Sequence, residues 1–314
     1  MKQSTLHLQP GNVSLAQLRQ VYKQEIKVTL DEAVYDAIDA SAAVVKDILA
    51  TGQTVYGINT GFGLLAQTRI EDDQLAELQK NLVLSHSTGV GSNLDVCTTR
   101  LILFLKLNSL ALGYSGVSRT AFTTLAAFIN YDILPYIPAK GSVGASGDLA
   151  PLAHMTAALM GIGDVIYKGT LMSAVRALQE VNLEPLTLGP KEGLAFLNGT
   201  QVSTALAIVG LLKTEHLFSA AIIAGAMSVD AMKGTDASFD PRIHKVRGQL
   251  GQIILAEKYL SLLEGSDIRA SHLDCDHVQD PYSLRCQPQV MGACLDIINN
   301  VSQCLLIEAN AVTD

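Results

Sequence analysis

The sequence has no tryptophan, and aromatic residues make up only 5% and charged residues only 17% of its 314 positions. Hydrophobic residues make up 48%, so the chain is more apolar and less charged than an ordinary soluble monomer. A chain of this length can bury a sizeable core. We expect some of the remaining apolar surface to contact partner chains.

An excess of positive charge is also missing. The chain has 22 Lys and Arg against 30 Asp and Glu, which gives a formal net charge of −8. It contains no cluster of basic residues of the kind that attracts a phosphate backbone. These features predict no nucleic-acid partner and favour a small-molecule substrate.

No uninterrupted apolar run reaches the length of about 18 residues expected of a membrane-spanning helix. The longest candidates, residues 149–163 and 217–229, are short and are bounded by charged residues. The first residues show no basic start followed by an apolar core, so no secretory signal is predicted. We therefore expect a cytoplasmic protein without a membrane partner.

Cysteines are few, and no two of them form a CxxC pair. The five are Cys97, Cys275, Cys286, Cys294 and Cys304. An odd number argues against a complete disulfide framework, so reduced thiols are predicted. The segment His-Leu-Asp-Cys-Asp-His at 272–277 has metal-binding residue types but no second ligand pair at zinc spacing. We expect no metal.

Helical spacing dominates what is present. Leu75, Leu78, Leu82 and His86 fall on one helical face, and almost no segment alternates as a strand. Further helices are predicted over residues 98–112, 149–162, 203–232 and 292–312. The pattern predicts an all-α protein with a loop-rich N-terminal helical domain at residues 1–200. Residues 201–314 are predicted to form the first, incomplete part of a long-helix bundle.

Two glycine-rich breaks interrupt the helices. Tyr56-Gly-Ile-Asn-Thr-Gly-Phe-Gly63 is typical of a loop whose backbone closely approaches another group. The second break contains Pro135, Pro138, Gly141, Gly144 and Gly147. Asp148 follows it at the position expected of the N-cap of the next helix.

The second break permits three interpretations. It is a flexible Gly/Ser loop before a capped helix, which is the common case, or it carries a serine nucleophile at Ser146. The nucleophile elbow is disfavoured because position 148 is Asp rather than Gly and no strand precedes the loop. The third interpretation is that the run GSVGASGDLAPLAH, residues 141–154, resembles the signature of the aromatic amino acid ammonia-lyases.

The resemblance extends along the whole chain in five further ordered segments. They are YGINTGFG at 56–63, NLVLSH at 81–86, FLNGT at 196–200, VQDPYSLRC at 278–286 and EANAVTD at 308–314. It implies a fumarase/aspartase-like helical fold, a homotetramer with shared active sites, and a chain truncated at its C-terminus. It also implies that the chain of this length has little or no activity.

In this family an Ala-Ser-Gly tripeptide cyclises into 4-methylidene-imidazol-5-one, so the resemblance assigns that prosthetic group to Ala145, Ser146 and Gly147. The amide nitrogen of Gly147 must attack the carbonyl of Ala145, and glycine permits so tight a backbone. The resulting alkene, conjugated to a carbonyl, is a strong electrophile. The implied activity is carbon–nitrogen lyase chemistry, the non-oxidative loss of ammonia from an aromatic amino acid.

The resemblance also implies roles for individual residues. Arg285 corresponds to the arginine that binds the substrate carboxylate with paired hydrogen bonds. Tyr56 and Tyr282 correspond to two active-site tyrosines, of which Tyr56 is the candidate base at the β-carbon. Asn198 and Gln279 correspond to amides that line the site.

Substrate choice is implied by Ser85 and His86. Family members that act on histidine carry Ser-His here, those that act on tyrosine carry His-Leu, and those that act on phenylalanine an apolar pair. The implied substrate is L-histidine and the product trans-urocanate. The alternatives are a tyrosine or phenylalanine lyase, an aminomutase with the same prosthetic group, or a non-catalytic helical assembly; a serine hydrolase is more remote.

Overall fold

A computed structural model describes residues 4–63, 66–274 and 276–314 of the chain. About 58% of the described residues are helical, and no strand among them exceeds four residues. The all-α prediction is therefore confirmed. Cys275, counted above among the thiols, lies outside the described residues.

The chain divides into two compact units. The first comprises the chain up to Val209 together with Leu305–Asp314, and the second comprises Gly210–Cys304. The predicted domain boundary after residue 200 coincides with the start of the helix Gln201–Ala231, whereas the units divide within that helix. The two-domain organisation with its boundary at residue 200 stays a prediction.

The first unit contains most of the shorter helices. They are α1 (Leu15–Lys23), α2 (Glu32–Ala50), α3 (Leu75–His86), α4 (Val96–Leu110), α5 (Arg119–Asn130), α6 (Ala150–Leu159), α7 (Ala174–Glu180), α8 (Glu192–Leu197) and the start of α9 (Gln201–Ala231). Helix α4 begins where the Asp95 carboxylate accepts the Thr98 backbone N–H at 2.9 Å. Almost every later position of α4 is buried, as its apolar composition predicts.

Short strands connect these helices. They are β1 (Ser4–His7), β2 (Ile26–Thr29), β3 (Val90–Asn93), β4 (Leu134–Pro135), β5 (Pro138–Lys140), β6 (Asp164–Tyr167) and β7 (Thr170–Ser173). β1 pairs with β2 in parallel, β3 with β5 antiparallel, and β4, β6 and β7 form an antiparallel sheet in that order. Strands this short carry too few residues for alternation to reveal them in the sequence.

The second unit is built on long helices. It contains the rest of α9, then α10 (Pro241–Arg247), α11 (Leu250–Leu263), α12 (Asp267–Ala270), α13 (Tyr282–Arg285) and most of α14 (Gln287–Ala309). Its core includes Val229, Leu255, Phe239 and Tyr259. The rings of Phe239 and Tyr259 stack with their centroids 5.4 Å apart. Burial raises the pKa of Tyr259 to about 12.

Much apolar surface of the long helices is exposed. Residues 192–231 and helix α14 contain windows of mean hydropathy 1.6 and 1.5, long and apolar enough by length and composition to cross a membrane. Core helices of soluble proteins meet the same criterion. Only 6% of the α14 window is buried within the chain, so this helix presents an apolar surface that its own chain does not cover.

Candidate active site

The loop that carries Ala145, Ser146 and Gly147 lies between β5 and α6. Ala145 and Ser146 are exposed, while Gly147 has a φ of +83°. A Cβ atom on Gly147 would lie 2.7 Å from the Asn198 side-chain oxygen and 2.8 Å from the Gly199 backbone nitrogen. Contacts this short leave no room for a side chain, so the structure supplies a steric reason for glycine at 147.

Asp148 has a different role from the one its position predicts. Helix α6 begins after Leu149, and its N-terminus has no side-chain cap. The buried Asp148 carboxylate instead accepts the Val202 and Ser203 backbone N–H groups at 2.6 and 3.0 Å, and also the Ser203 hydroxyl. It therefore caps α9, where unpaired N–H groups and the helix dipole favour an anion. The predicted cap of the following helix was wrong.

Asn198 ends α8 and lies beside the loop. Its side-chain oxygen is buried and has no hydrogen-bond partner in the described part of the chain. The next carbonyl along, that of Gly199, accepts the Asp148 backbone N–H at 2.7 Å. The structure therefore brings Asn198 and Gly147 together.

The same turn is attached to the last residues of the chain. The Thr200 backbone N–H donates to the Thr313 hydroxyl at 3.1 Å, and the Thr200 hydroxyl donates to Glu308 at 2.5 Å. Lys106, fully buried in α4, donates from Nζ to the Asn198 backbone oxygen at 2.8 Å. No role for Lys106 was predicted from the sequence, although a lysine in an otherwise apolar helix is unusual.

Ser85 and His86 are the last two residues of α3. The Ser85 hydroxyl donates to the Leu82 carbonyl at 3.0 Å, and His86 Nδ1 lies 2.8 Å from the same oxygen. A carbonyl only accepts, so Nδ1 carries the proton and Nε2 of the neutral ring is an acceptor. In the described residues neither side chain hydrogen-bonds to the 145–147 loop.

A second histidine, His154 on α6, has no role predicted from the sequence. Its Nε2 accepts the Gly89 backbone N–H at 3.0 Å, which connects α6 to the segment that follows His86. Burial lowers the pKa of His154 and keeps the ring neutral, as an acceptor must be. The interaction helps to hold the end of α3 beside the helix after the loop.

Tyr56 begins the first glycine-rich loop and is 57% exposed. Its ring contacts Phe62 edge to face, with centroids 5.8 Å apart. The buried Asn59 shapes this loop, because its side-chain oxygen accepts the Val55 N–H and its amide donates to the Gln53 carbonyl, both at 2.8 Å. Asn59 thus connects the loop that follows Tyr56 to the backbone that precedes it.

Gln279, Tyr282 and Arg285 belong to the second unit. Gln279 and Tyr282 are exposed, and Arg285 is half-buried. The Arg285 guanidinium lies 3.9 Å from the centroid of the Tyr282 ring, and its Nε is buried without a hydrogen-bond partner among the described residues. A guanidinium stacked in this way, with an unused donor, is suited to a carboxylate ligand.

The metal-binding residue types at 272–277 do not gather into a site in the part that the structure describes. No group of three or more His, Cys, Asp or Glu side chains that could hold a metal occurs among the described residues. Cys275, at the centre of that segment, lies outside them.

The chain is similar to known proteins over almost its whole length. It is 57% identical over 307 residues to a histidine ammonia-lyase of Burkholderia pseudomallei, which covers 98% of this chain and 61% of the relative. The chain thus spans about three-fifths of the length of the curated relatives it matches.

The fold is shared with several solved structures. Histidine ammonia-lyase of Trypanosoma cruzi has a TM-score of 0.87 and 35% identity over 99% of this chain and 57% of that one. Phenylalanine aminomutase of Pantoea agglomerans has a TM-score of 0.91 and 28% identity over 98% and 63%. The family model of aromatic amino acid lyases matches residues 13–314, and these residues include the Ala-Ser-Gly loop and the turn at Asn198. The chain therefore belongs to the aromatic amino acid lyase family.

Proposed function

We propose that the whole protein is a carbon–nitrogen lyase that converts L-histidine to trans-urocanate and ammonia without oxidation. The observation that carries the proposal is the contact of Gly147 with the Asn198–Gly199 turn. It is supported by 57% identity to a histidine ammonia-lyase. The prosthetic group that we propose is 4-methylidene-imidazol-5-one, formed by the chain itself from Ala145, Ser146 and Gly147.

The residues present fit this group. Gly147 has the left-handed backbone that a tight loop needs, and the buried Asn198 amide beside it lacks one partner. Rotation of that amide would present either an acceptor or a donor. Once formed, the ring supplies an alkene conjugated to a carbonyl, the electrophile that the reaction requires.

Formation of the ring balances with the loss of two water molecules. The Gly147 nitrogen bonds to the Ala145 carbonyl carbon, and that oxygen leaves as water with the amide hydrogens of Ser146 and Gly147. Ser146 then loses its hydroxyl and its α-hydrogen as the second water. The loop therefore needs no external reagent, and we expect chelators to leave both ring formation and activity unchanged.

The other residues hold the substrate and its protons in this proposal. Arg285 binds the carboxylate through paired hydrogen bonds, beside the Tyr282 ring that already contacts its guanidinium. Tyr56 takes a proton from the β-carbon while the Cα–N bond breaks, so that a Cα–Cβ double bond forms and ammonia leaves. Asn198 and Gln279 bind polar groups in the site.

Selectivity for histidine is assigned to Ser85 and His86. Because His86 Nδ1 lies against a backbone carbonyl, its Nε2 is available to accept a hydrogen bond from the imidazole N–H of the substrate. An aromatic ring without an N–H would leave that nitrogen unpaired, and unpaired buried polar groups disfavour the wrong substrate.

Intact mass spectrometry combined with a urocanate assay tests the proposal. The wild-type mass should be lower than the mass of the linear chain by two waters, and the Ser146→Ala variant should not lose the serine water and should not deaminate histidine. Because Ser146 is exposed and small, Ser146→Ala should fold normally. Histidine deamination by a wild-type protein that has lost no water would refute it.

The second candidate is an aminomutase or a tyrosine or phenylalanine lyase, favoured by the structural similarity to the Pantoea agglomerans phenylalanine aminomutase. Incubation with each aromatic amino acid distinguishes them, because a mutase yields a β-amino acid and a lyase an unsaturated acid. Urocanate as the main product supports the first candidate.

We further propose a cytoplasmic homo-oligomer, a tetramer in the full-length family, without a membrane or nucleic-acid partner. Cys97, Cys286, Cys294 and Cys304 are free thiols, as expected of a reducing compartment. The exposed apolar side of α14, with Ile297 and Ile307 65% and 73% exposed, is suited to helix packing between chains. Light scattering tests the oligomeric state, and vesicle flotation tests the expectation that the protein does not bind membranes.

A further inference from the structure

Lys106 occupies an unusual position for a lysine. Its side chain is completely buried in α4, and its Nζ donates to the backbone oxygen of Asn198 at 2.8 Å. Burial of a charged amine is costly unless nearby groups compensate for the lost hydration. An apolar side chain of similar size would avoid that cost, so packing alone does not explain the lysine.

Three charged side chains act on the Lys106 amine. Asp314 and Asp148 stabilise its positive charge, Lys191 opposes it, and desolvation has the largest effect. Together these influences lower the pKa of Lys106 from 10.5 to about 8. The folded chain therefore binds this proton less tightly than the unfolded chain. As a result, the free energy of unfolding rises as the pH increases from about 8 to 10.5. At neutral pH the charged lysine does not increase stability.

The peptide that Lys106 contacts is the one packed against the loop. Its carbonyl, from Asn198, accepts a hydrogen bond from Lys106 Nζ, and its nitrogen, from Gly199, lies 2.8 Å from the position of a Cβ on Gly147. A charged donor on the carbonyl polarises the whole amide, which strengthens its N–H as a donor. Asp148 holds the next carbonyl, so the turn is fixed on both sides.

We propose that Lys106 is a positioning residue for ring closure, which holds the Asn198–Gly199 peptide against Gly147 so that the loop reaches the geometry in which it cyclises. This inference rests on the proposed function, since it presumes that the ring forms. In that step the Gly147 nitrogen bonds to the Ala145 carbonyl carbon, and the Ala145 carbonyl oxygen leaves as water. Lys106 takes no part in the bond changes and acts through Asn198 alone.

The test measures the rate of ring formation. The whole protein, purified as a linear, unfolded chain in denaturant, is refolded by dilution between about pH 6 and about pH 10, and the loss of water is followed by intact mass spectrometry. The variants are Lys106→Gln, which keeps a donor without the charge, and Lys106→Met, which removes both. Circular dichroism gives the folded fraction by which each rate is normalised.

Lys191→Met is the matched control. Lys191 belongs to the same group of charges but donates to the Ser115 carbonyl and lies 3.7 Å from Asp314, and no hydrogen bond of its side chain reaches the Asn198 turn in the described residues. We expect the ring in the Lys191→Met variant to form at the wild-type rate at neutral pH. Because Lys191 lowers the pKa of Lys106, its removal should move any inflection caused by Lys106 to higher pH.

The expected result is a wild-type rate that falls as the pH rises through about 8. At neutral pH Lys106→Gln should be several-fold slower and Lys106→Met at least about tenfold slower, the usual effect of losing a hydrogen bond to a charged group. Neither variant should retain the inflection. Wild-type rates in both variants would overturn the proposal and leave Lys106 a structural residue.

Two further outcomes are also decisive. If the wild-type chain loses no water under any condition, the proposed function fails and the role of Lys106 fails with it. If neither Lys106 variant folds, the pH dependence of wild type and Lys191→Met decides, because absence of an inflection near pH 8, or of its shift in Lys191→Met, would overturn the proposal.

Discussion

Replacement of Gly147 by alanine probes the contact on which the candidate site depends. The new Cβ would lie 2.7 Å from two oxygen atoms, the Asn198 side-chain oxygen and the Gly199 carbonyl, and 2.8 Å from the Gly199 nitrogen. The two oxygens would have to move by at least 0.3 Å to reach 3.0 Å, the shortest separation that Cβ atoms tolerate. Movement is opposed because the Gly199 carbonyl accepts the Asp148 N–H at 2.7 Å.

The expected loss of folding free energy in Gly147→Ala has two parts. A left-handed backbone costs alanine about 1–2 kcal/mol relative to glycine, and insertion of a methyl group into a packed contact costs about 1–3 kcal/mol. Gly144 provides the control, because its φ is +65° but no atom lies within 4 Å of its Cβ position. Gly144→Ala should therefore lose about 1–2 kcal/mol and Gly147→Ala about 2–5 kcal/mol.

Thermal unfolding measures the loss of stability in the two variants, and intact mass spectrometry measures ring formation. Each kcal/mol lowers the Tm of a unit of this size by roughly 2–4 °C, so Gly147→Ala should unfold several degrees below Gly144→Ala. The Gly144→Ala chain should still lose two waters, whereas ring formation in Gly147→Ala should be slow or absent. Equal Tm values and equal ring formation in the two variants would show that the contact with the Asn198 turn has no consequence.

Three further predictions concern the substrate, the pH and the selectivity. Arg285→Ala in the whole protein should lower kcat/KM for histidine roughly 30- to 1000-fold by removing the carboxylate partner, and Arg285→Lys should restore part of it; wild-type kinetics in both would exclude Arg285 as the anchor. The pKa of His154 is lowered by burial, so its contribution to stability is present above its ordinary pKa of 6.5 and is lost as the pH falls below that value. His154→Gln keeps an acceptor for Gly89 N–H, and its denaturant midpoint should depend less on pH than that of wild type between about pH 5 and about pH 7; an identical dependence would contradict this role. Changing Ser85-His86 to Phe-Leu should lower the ratio of kcat/KM for histidine to that for phenylalanine, by about tenfold or more, and an unchanged ratio would place selectivity elsewhere.

Local features could be determined from the sequence alone. Apolar spacing predicts α4 and α9 within two residues of their observed starts, because helix formation depends on neighbours three and four positions away. The Ala145–Gly147 loop was likewise found from adjacent residues. The all-α class follows from the same periodicity, since nearly every long segment has one period.

Only the tertiary structure decided the partners of these segments. Asp148 caps a helix that begins more than fifty residues further along the chain, and Lys106 contacts a carbonyl 92 positions away. Periodicity carries no information about contacts at such separations, because they depend on how buried surfaces pack against each other rather than on local conformation. For the same reason the sequence shows that residue 147 is glycine, whereas the position of Asn198 and Gly199 explains why no larger residue fits there.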